Sequence, residues 1–471
     1  MSTTTTPDSL NLVIFGVTGD LTRHKLLPAL FDLFQDNNLP QDFSVTAFSR
    51  QDLLDQDYRE LANDCLSESH PEVADNTKKD FLSGFTYCQG NFKEAADFAA
   101  LKEQLASNRA ELVLFYVAAS PTWYDTIFRH IHEVGLHALK DKSVRICIEK
   151  PFGRDLETAR RLDQELCKIF SEEQIFRIDH YLAKQALENI LTFRFTNRLF
   201  AHSWDHESIE AVKISFHEDN DATGRGTFYD DIGALRDVGQ NHLLQLLAAV
   251  AMENPGELAA EPVRAARAAV LEDLRIYQAG EVCDRAIRAQ YKGYTNTDGV
   301  ASDSSTETYF KLEAHIDNDR WQGVPFYLES GKALSEKRVE IEITFRPLVP
   351  CVCGADGEHD HRNILTIRLA PEAQIDTKIW VRSGGVNMEI VSGIASFDLA
   401  SDVAEADTAS AYEKILFDAI RGDQLLFTTG REVQAAWQFI TPILTGWQEC
   451  PLPEYEPGTG GPKEHLSRDN N

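Results

Sequence analysis

Apolar positions fall along the chain in two textures. In the first third they form short unbroken runs: NLVIF (11–15), DFSVTAFSR (42–50), ELVLFYVAAS (111–120) and SVRICIEKP (143–151). Runs of this length predict strands buried on both faces. Between them the spacing turns helical, as in LLPALFDLF (26–34) and ETARRLDQELCKIF (157–170). Strands alternating with helices predict a parallel, doubly wound sheet. From about Asp179 the texture changes. One helix is expected at Gln185–Asn197, and then strand-like runs at 209–217, 308–316, 324–328, 338–346, 363–369 and 388–398. In AVKISFHE (211–218), Val212, Ile214 and Phe216 alternate with polar residues, as in a half-buried strand. These runs predict an α+β domain with a large, mostly antiparallel sheet and helices to one side.

Length agrees with two domains, because 471 residues exceed what one core usually covers. The most apolar stretch, LLQLLAAVAM (243–252), is too short to span a bilayer. The start, MSTTTTPDSL, lacks the basic and apolar regions of a signal peptide and is expected to be a disordered tail over 1–10. Eight cysteines in so long a chain predict no disulfide scaffold and suit a reducing, cytoplasmic setting. The net charge of −29 argues against nucleic acid and against an anionic membrane surface. Any anionic ligand must therefore be met by a few well-placed lysines and arginines.

One such place follows the first strand. GVTGDLTRHK (16–25) gives a strand, a glycine turn and a helix, which offers backbone N–H groups to a phosphate. The spacing Gly16-x-x-Gly19-Asp20 lacks the third glycine of the full fingerprint, and a plain tight turn would also need glycine. At the end of the second strand, Arg50 stands where an acidic residue would grip a ribose 2′-hydroxyl. Arginine suits a 2′-phosphate, hence NADP rather than NAD, against the plainer reading of a solvated loop arginine. Residues 11–178 are thus expected to be a Rossmann-type nucleotide-binding domain, and 179–471 a second domain for substrate and assembly.

FRIDHYLAKQ (176–185) packs Arg177, Asp179, His180, Tyr181 and Lys184 between apolar residues. Charged groups are rarely buried there unless paired or liganded. With EKPFGRDL before it, and GALRDVGQNHLLQ, ESGKALSEK and YEKILFDAIRGDQLLF after it, the chain resembles the glucose-6-phosphate dehydrogenase family from about Leu12 to Pro462. The resemblance implies oxidation of glucose 6-phosphate to 6-phosphogluconolactone with NADP, the entry step of the oxidative pentose phosphate route. It implies His242 as the base and Asp179 as its orienting carboxylate, a pairing that would fix the imidazole tautomer. His180, Tyr181 and Lys184 match the phosphate clamp. Glu218 and Asp237 match the sugar-binding acids, and Lys332 and Lys337 a second pair of substrate contacts. Lys150 matches a residue shared by substrate and cofactor. Gly16, Thr18, Gly19, Asp20, Leu21, Lys25 and Arg50 complete the expected cofactor side. The family also implies a homodimer or homotetramer.

One geometric conflict stands out. Asp237 and His242 are five residues apart, about 140° around an ideal α-helix, so they cannot share one face unless the segment bends, with Gly239 the obvious place. The chain also departs from the family pattern at Ala183, Gln185, Glu329, Ala119–Pro121 and Gly460. Charge reversal at Glu329 argues against a second, structural NADP. These departures leave two rivals: a dehydrogenase of another aldose 6-phosphate, and a catalytically silent paralogue. Finally, CVCGADGEHDH (351–361) brings Cys351, Cys353, His359 and His361 around a glycine turn. That donor set predicts a structural zinc, against the plainer reading of a polar hairpin loop.

Overall fold

The computed structural model describes residues 6–180, 185–349, 361–384, 389–398, 410–463 and 466. Six strands form the first sheet: β1 (Ser9–Phe15), β2 (Asp42–Ser49), β3 (Phe85–Gln89), β4 (Leu112–Val117), β5 (Ser143–Ile148) and β6 (Ile175–Arg177). Their order is β3-β2-β1-β4-β5-β6, and every pairing is parallel. The doubly wound expectation therefore holds. The order reverses between β1 and β4, the place where such sheets open a ligand crevice. β1 is buried along its whole length and starts at Ser9, so the ordered sheet begins inside the stretch expected to be a tail.

The second sheet has nine strands: β7 (Ile209–His217), β8 (Ala286–Tyr291), β9 (Tyr309–Ala314), β10 (Phe326–Gly331), β11 (Arg338–Phe345), β12 (Ile364–Ala370), β13 (Gln374–Arg382), β14 (Ile390–Asp398) and β15 (Glu454–Tyr455). Their order is β14-β13-β12-β11-β7-β10-β9-β8-β15. The sheet is mixed, because β7 pairs with β10 and β8 with β15 in parallel. The parallel β7–β10 pair matters for the site, since it brings the C-terminal ends of both strands side by side. The sequence pattern missed β8, whose AIRAQY carries Arg288 and Gln290, and β13, whose alternation over Ile375, Thr377, Ile379 and Val381 was legible.

One contiguous apolar core runs through both sheets, from Leu10 to Cys450. The helix Ala411–Arg421 returns from late in the chain to the first sheet, where Arg145 donates to the Ala419 and Ile420 carbonyls at 2.8 and 2.6 Å. Arg177, the first charge of the FRIDHY stretch, is buried and paired with Asp163 at 2.6 Å and Glu172 at 2.8 Å. It is therefore a structural part of the first domain.

Two expectations change here. Cys283 and Cys450 form a disulfide across 167 residues, where no cross-link was expected. Nothing in the local spacing marks a pair so far apart in sequence. Glu329, the reversed charge, lies buried in β10 against His217 (3.2 Å), Lys213 (3.2 Å) and the Tyr309 hydroxyl (3.1 Å). Burial works to raise its carboxyl, but the His217 and Lys213 contacts outweigh it and hold it down at about 2.

Candidate active site

A cleft of about 580 Å³ opens where the C-terminal ends of β4 and β5 meet those of β7 and the segment after β6. Strand ends carry the chemistry because their side chains leave the sheet there, held by a rigid scaffold.

Lys150 follows β5, Asp179 follows β6, and His242 lies on the segment Leu235–Leu243. That segment is a π-helix, with the Leu244 N–H reaching back five residues to the Gly239 carbonyl. This resolves the conflict over Asp237 and His242. With i→i+5 winding, residues five apart differ by only about 50° around the axis, so they come onto one face. Lys150 Nζ accordingly touches both, donating to Asp237 Oδ1 at 3.3 Å, to the Asp237 carbonyl at 3.0 Å and to His242 Nε2 at 3.0 Å. Gly239 does not act as a bend. A Cβ there would come within 2.6 Å of Leu235 Cδ1 and 2.9 Å of Phe310 Cζ, so the glycine permits close packing.

Asp179 Oδ1 lies 2.5 Å from His242 Nδ1, and both side chains are almost fully enclosed. The carboxylate takes the Nδ1 proton, which leaves the Nε2 lone pair facing Lys150 and the cleft. Burial lowers the His242 pKa. Asp179 pulls it upward and Lys150 downward, and the result lies below the ordinary imidazole value. An enclosed imidazole with one nitrogen anchored and the other unprotonated is a ready proton acceptor.

Around this pair stand the acids and lysines of the cleft. Burial works to raise Asp237, but Lys150, Lys332, His242 and Arg225 more than offset it and hold the carboxyl below its usual range. Glu218 follows β7 and accepts from Lys332 Nζ at 2.8 Å. Lys332 follows β10, the parallel neighbour of β7. Its ammonium sits 5.0 Å above the Tyr229 ring, and its carbonyl accepts from Tyr455 at 2.6 Å. His180 and Glu149 are the chain neighbours of Asp179 and Lys150. His180 Nε2 faces Glu149 Oε2 at 3.0 Å, and its ring lies 4.3 Å from that of Tyr412.

A second cavity, of about 400 Å³, lies beyond β1 and β2. Gly16, Thr18 and Gly19 line it with Ser49 and Arg50, and Phe92, Lys93 and Trp123 form its far side. Gly16 has φ +87, and a Cβ there would meet the Ala118 carbonyl at 2.7 Å. The turn is therefore built for close backbone approach, as a dinucleotide needs. The chemistry of this lining fits a nicotinamide dinucleotide: it holds Arg50 and Lys93 and no carboxylate.

The structure thus brings Lys150, His180, Glu218, Asp237 and His242 to one cleft, with Asp179 behind His242 and Lys332 bonded to Glu218. Leu21 lines the same cleft. Lys337 does not join it and is exposed on the turn before β11, and Asp20 and Lys25 are exposed and line neither cavity. The phosphate-clamp residues Tyr181 and Lys184, with Ala183, lie outside the described residues. So do Cys351, Cys353 and His359 of the zinc expectation. His361 is described, with its ring 4.6 Å from that of Trp380, and no metal-binding cluster occurs among the described residues. Sequence reasoning missed Glu149, Arg225, Asn241 and Tyr412. Glu149, Asn241 and Tyr412 lie inside the quoted EKP, QNHLLQ and YEKI motifs, so the signal was present. Arg225 gave none beyond proximity to a motif.

Comparisons with known proteins complete the description. Residues 13–189 match "Glucose-6-phosphate dehydrogenase, NAD binding domain", and residues 191–468 match "Glucose-6-phosphate dehydrogenase, C-terminal domain". Glucose-6-phosphate 1-dehydrogenase of Borreliella burgdorferi is 36% identical over 466 residues, covering 97% of this chain and 96% of the relative. The enzyme of Aggregatibacter actinomycetemcomitans is 38% identical over 467 residues, covering 96% and 94%. A solved glucose-6-phosphate dehydrogenase in complex with its substrate glucose-6-phosphate superposes with a TM-score of 0.89 at 31% identity, covering 98% of this chain and 96% of that one.

Proposed function

The chain belongs to the glucose-6-phosphate dehydrogenase family, and from that premise we propose that it oxidises D-glucose 6-phosphate to 6-phospho-D-glucono-1,5-lactone with NADP. The observation that carries the reading is the Asp179–His242–Lys150 arrangement at the mouth of the cleft. His242 Nε2 takes the proton of the anomeric hydroxyl. Asp179 holds the ring in the required tautomer and stabilises the imidazolium as it forms. Lys150 covers the lone pair in the free protein and gives way to the hydroxyl when substrate enters. Glu218 and Asp237 bind sugar hydroxyls, and Lys332 holds Glu218 in place. His180 takes the phosphate, with Tyr181 and Lys184 assigned to the same task by their motif. The nicotinamide, when bound, supplies the hydride acceptor.

Preference for NADP is supported by Arg50 at the end of β2 and by a cavity lining that carries two cations in a protein of net charge −29. The test is absorbance of the reduced nicotinamide with glucose 6-phosphate, run with NADP and with NAD and beside galactose, mannose and glucosamine 6-phosphates. Faster turnover of another aldose phosphate would overturn the substrate assignment. Binding of both ligands without turnover would favour the silent paralogue.

A homodimer is proposed on a separate observation. The outer strands β13 and β14 expose Ile379, Val381, Ile390, Val391, Ile394 and Phe397. β14 is also the edge of the sheet, and an apolar edge of that length invites a second copy. Replacing Ile394, 72% exposed, by Asp is expected to leave the fold intact and shift sedimentation toward the monomer.

A further inference from the structure

We propose that Glu149 is a positioning residue that sets the imidazole of His180 for the substrate's phosphate; this rests on the phosphate role given to His180 above.

Glu149 directly follows β5 and is 9% exposed. A carboxylate so enclosed costs stability unless its oxygens are hydrogen-bonded. Both are. Tyr116, on the neighbouring β4, donates to Oε1 at 2.5 Å, and His180, just beyond β6, donates from Nε2 to Oε2 at 3.0 Å. The main chain is tied down too, because the Tyr124 hydroxyl donates to the Glu149 carbonyl at 2.8 Å. β4, β5 and β6 are consecutive neighbours in the sheet. The three groups therefore form a short line from the core to the cleft, each fixed by its own strand.

The roles along that line differ. Tyr116 is fully buried and lines no part of the cleft, and among the described residues its hydroxyl bonds Glu149. Burial, and then the charge of Glu149, push its phenol well above the ordinary range, so it remains a donor at any working pH. His180 does line the cleft, and Tyr412 packs on its ring. With Nε2–H committed to Glu149 the ring cannot swing away, and Nδ1 is left enclosed with no hydrogen-bond partner among the described residues. A phosphate oxygen would satisfy that nitrogen once it carries a proton. Glu149 would then balance the charge of the imidazolium from behind, as Asp179 does for His242.

The test uses the full-length enzyme. Glu149→Gln is expected to raise KM for glucose 6-phosphate about tenfold to a hundredfold, with a much smaller change in kcat. The ratio of kcat/KM for glucose 6-phosphate to kcat/KM for glucose, which has no phosphate, should fall by about the same factor. Tyr116→Phe should move the ratio in the same direction by less. If Glu149→Gln does not fold, judged by circular dichroism, Tyr116→Phe alone decides, and an unchanged ratio overturns the proposal. His180→Asn separates the two layers. A fall in the ratio with His180→Asn but not with Glu149→Gln overturns the positioning role alone. No fall with His180→Asn overturns the phosphate role of His180 and the proposal with it.

Discussion

Two carboxylate–imidazole pairs stand side by side at the cleft, since Asp179 and His180 are neighbours in the chain. In Asp179–His242 the groups lie 2.5 Å apart and are 3% and 4% exposed, and a lysine stands at the far nitrogen of the ring. In Glu149–His180 they lie 3.0 Å apart, their side chains are 12% and 20% exposed, and a buried phenol stands behind the carboxylate. The chemical unit is the same, so the difference lies in the third partner and in access to solvent. A cation at the second nitrogen, in an enclosed site, keeps a ring unprotonated until its substrate arrives. A phenol behind the acid, with the ring lining the cleft and its second nitrogen enclosed without a hydrogen-bond partner among the described residues, suits a group held in reserve for a charged ligand. What an imidazole does here is read from what faces its second nitrogen.

The contrast breaks most sharply at the bases. Replacing His242 by Ala is expected to lower kcat about 10³- to 10⁴-fold with KM for glucose 6-phosphate little changed, measured by reduced-nicotinamide absorbance. A comparable kcat loss in His180→Ala would erase the distinction. Asp179→Asn should cost about a hundredfold or more in kcat, because the amide can hold the wrong tautomer. The pH profile of kcat/KM gives a smaller, finer test. His242 must be unprotonated to act, and burial depresses it, so activity should fall with decreasing pH through a value below the ordinary imidazole value of about 6.5. Asp179 raises that value and Lys150 lowers it. Asp179→Asn should therefore move the acid limb down, and Lys150→Gln should move it up.

Stability has a matching sign. The unfolded chain binds a proton at His242 more readily than the folded one. Stability is thus lost as pH falls from about 6.5 toward the folded value of the ring. Glu329 adds the same sign further down: its folded carboxyl sits at about 2, so its contribution is present above its ordinary range and fades only as pH drops toward that value. Melting temperature against pH would show both windows, and His242→Ala would remove the upper one.

Four of the six strands of the first sheet were legible, because parallel strands buried on both faces read as unbroken apolar runs, whereas β3 (FTYCQ) and β6 (IFR) are short and carry polar residues. β8 was not, because Arg288 reaches outward to the Cys450 carbonyl and Gln290 to backbone carbonyls at 304 and 306, and both break the apolar pattern. The base and its carboxylate were legible through the family motifs. Their relation to Asp237 was not, because a helical wheel assumes 3.6 residues per turn and the chain here winds wider. Glu149 was overlooked beside the more familiar lysine, and only the distances to Tyr116 and His180 reveal its place. The Cys283–Cys450 link had no local signature at all.

The wide turn over Leu235–Leu243 has a further implication. Removing one residue from it would let the segment relax into ordinary α-helix, a more regular and more common conformation. Because the extra residue is taken up locally, the same deletion would leave the helix beyond it in phase but draw Asp237 one position closer to His242 and displace the Asp237 carbonyl that Lys150 grips. The chain carries one residue more here than a regular helix would use, and that surplus sets the spacing of Asp237, Lys150 and His242. A variant selected for thermal tolerance alone would find this residue easy to discard. Loss of activity in such a variant would arise with every catalytic side chain still present.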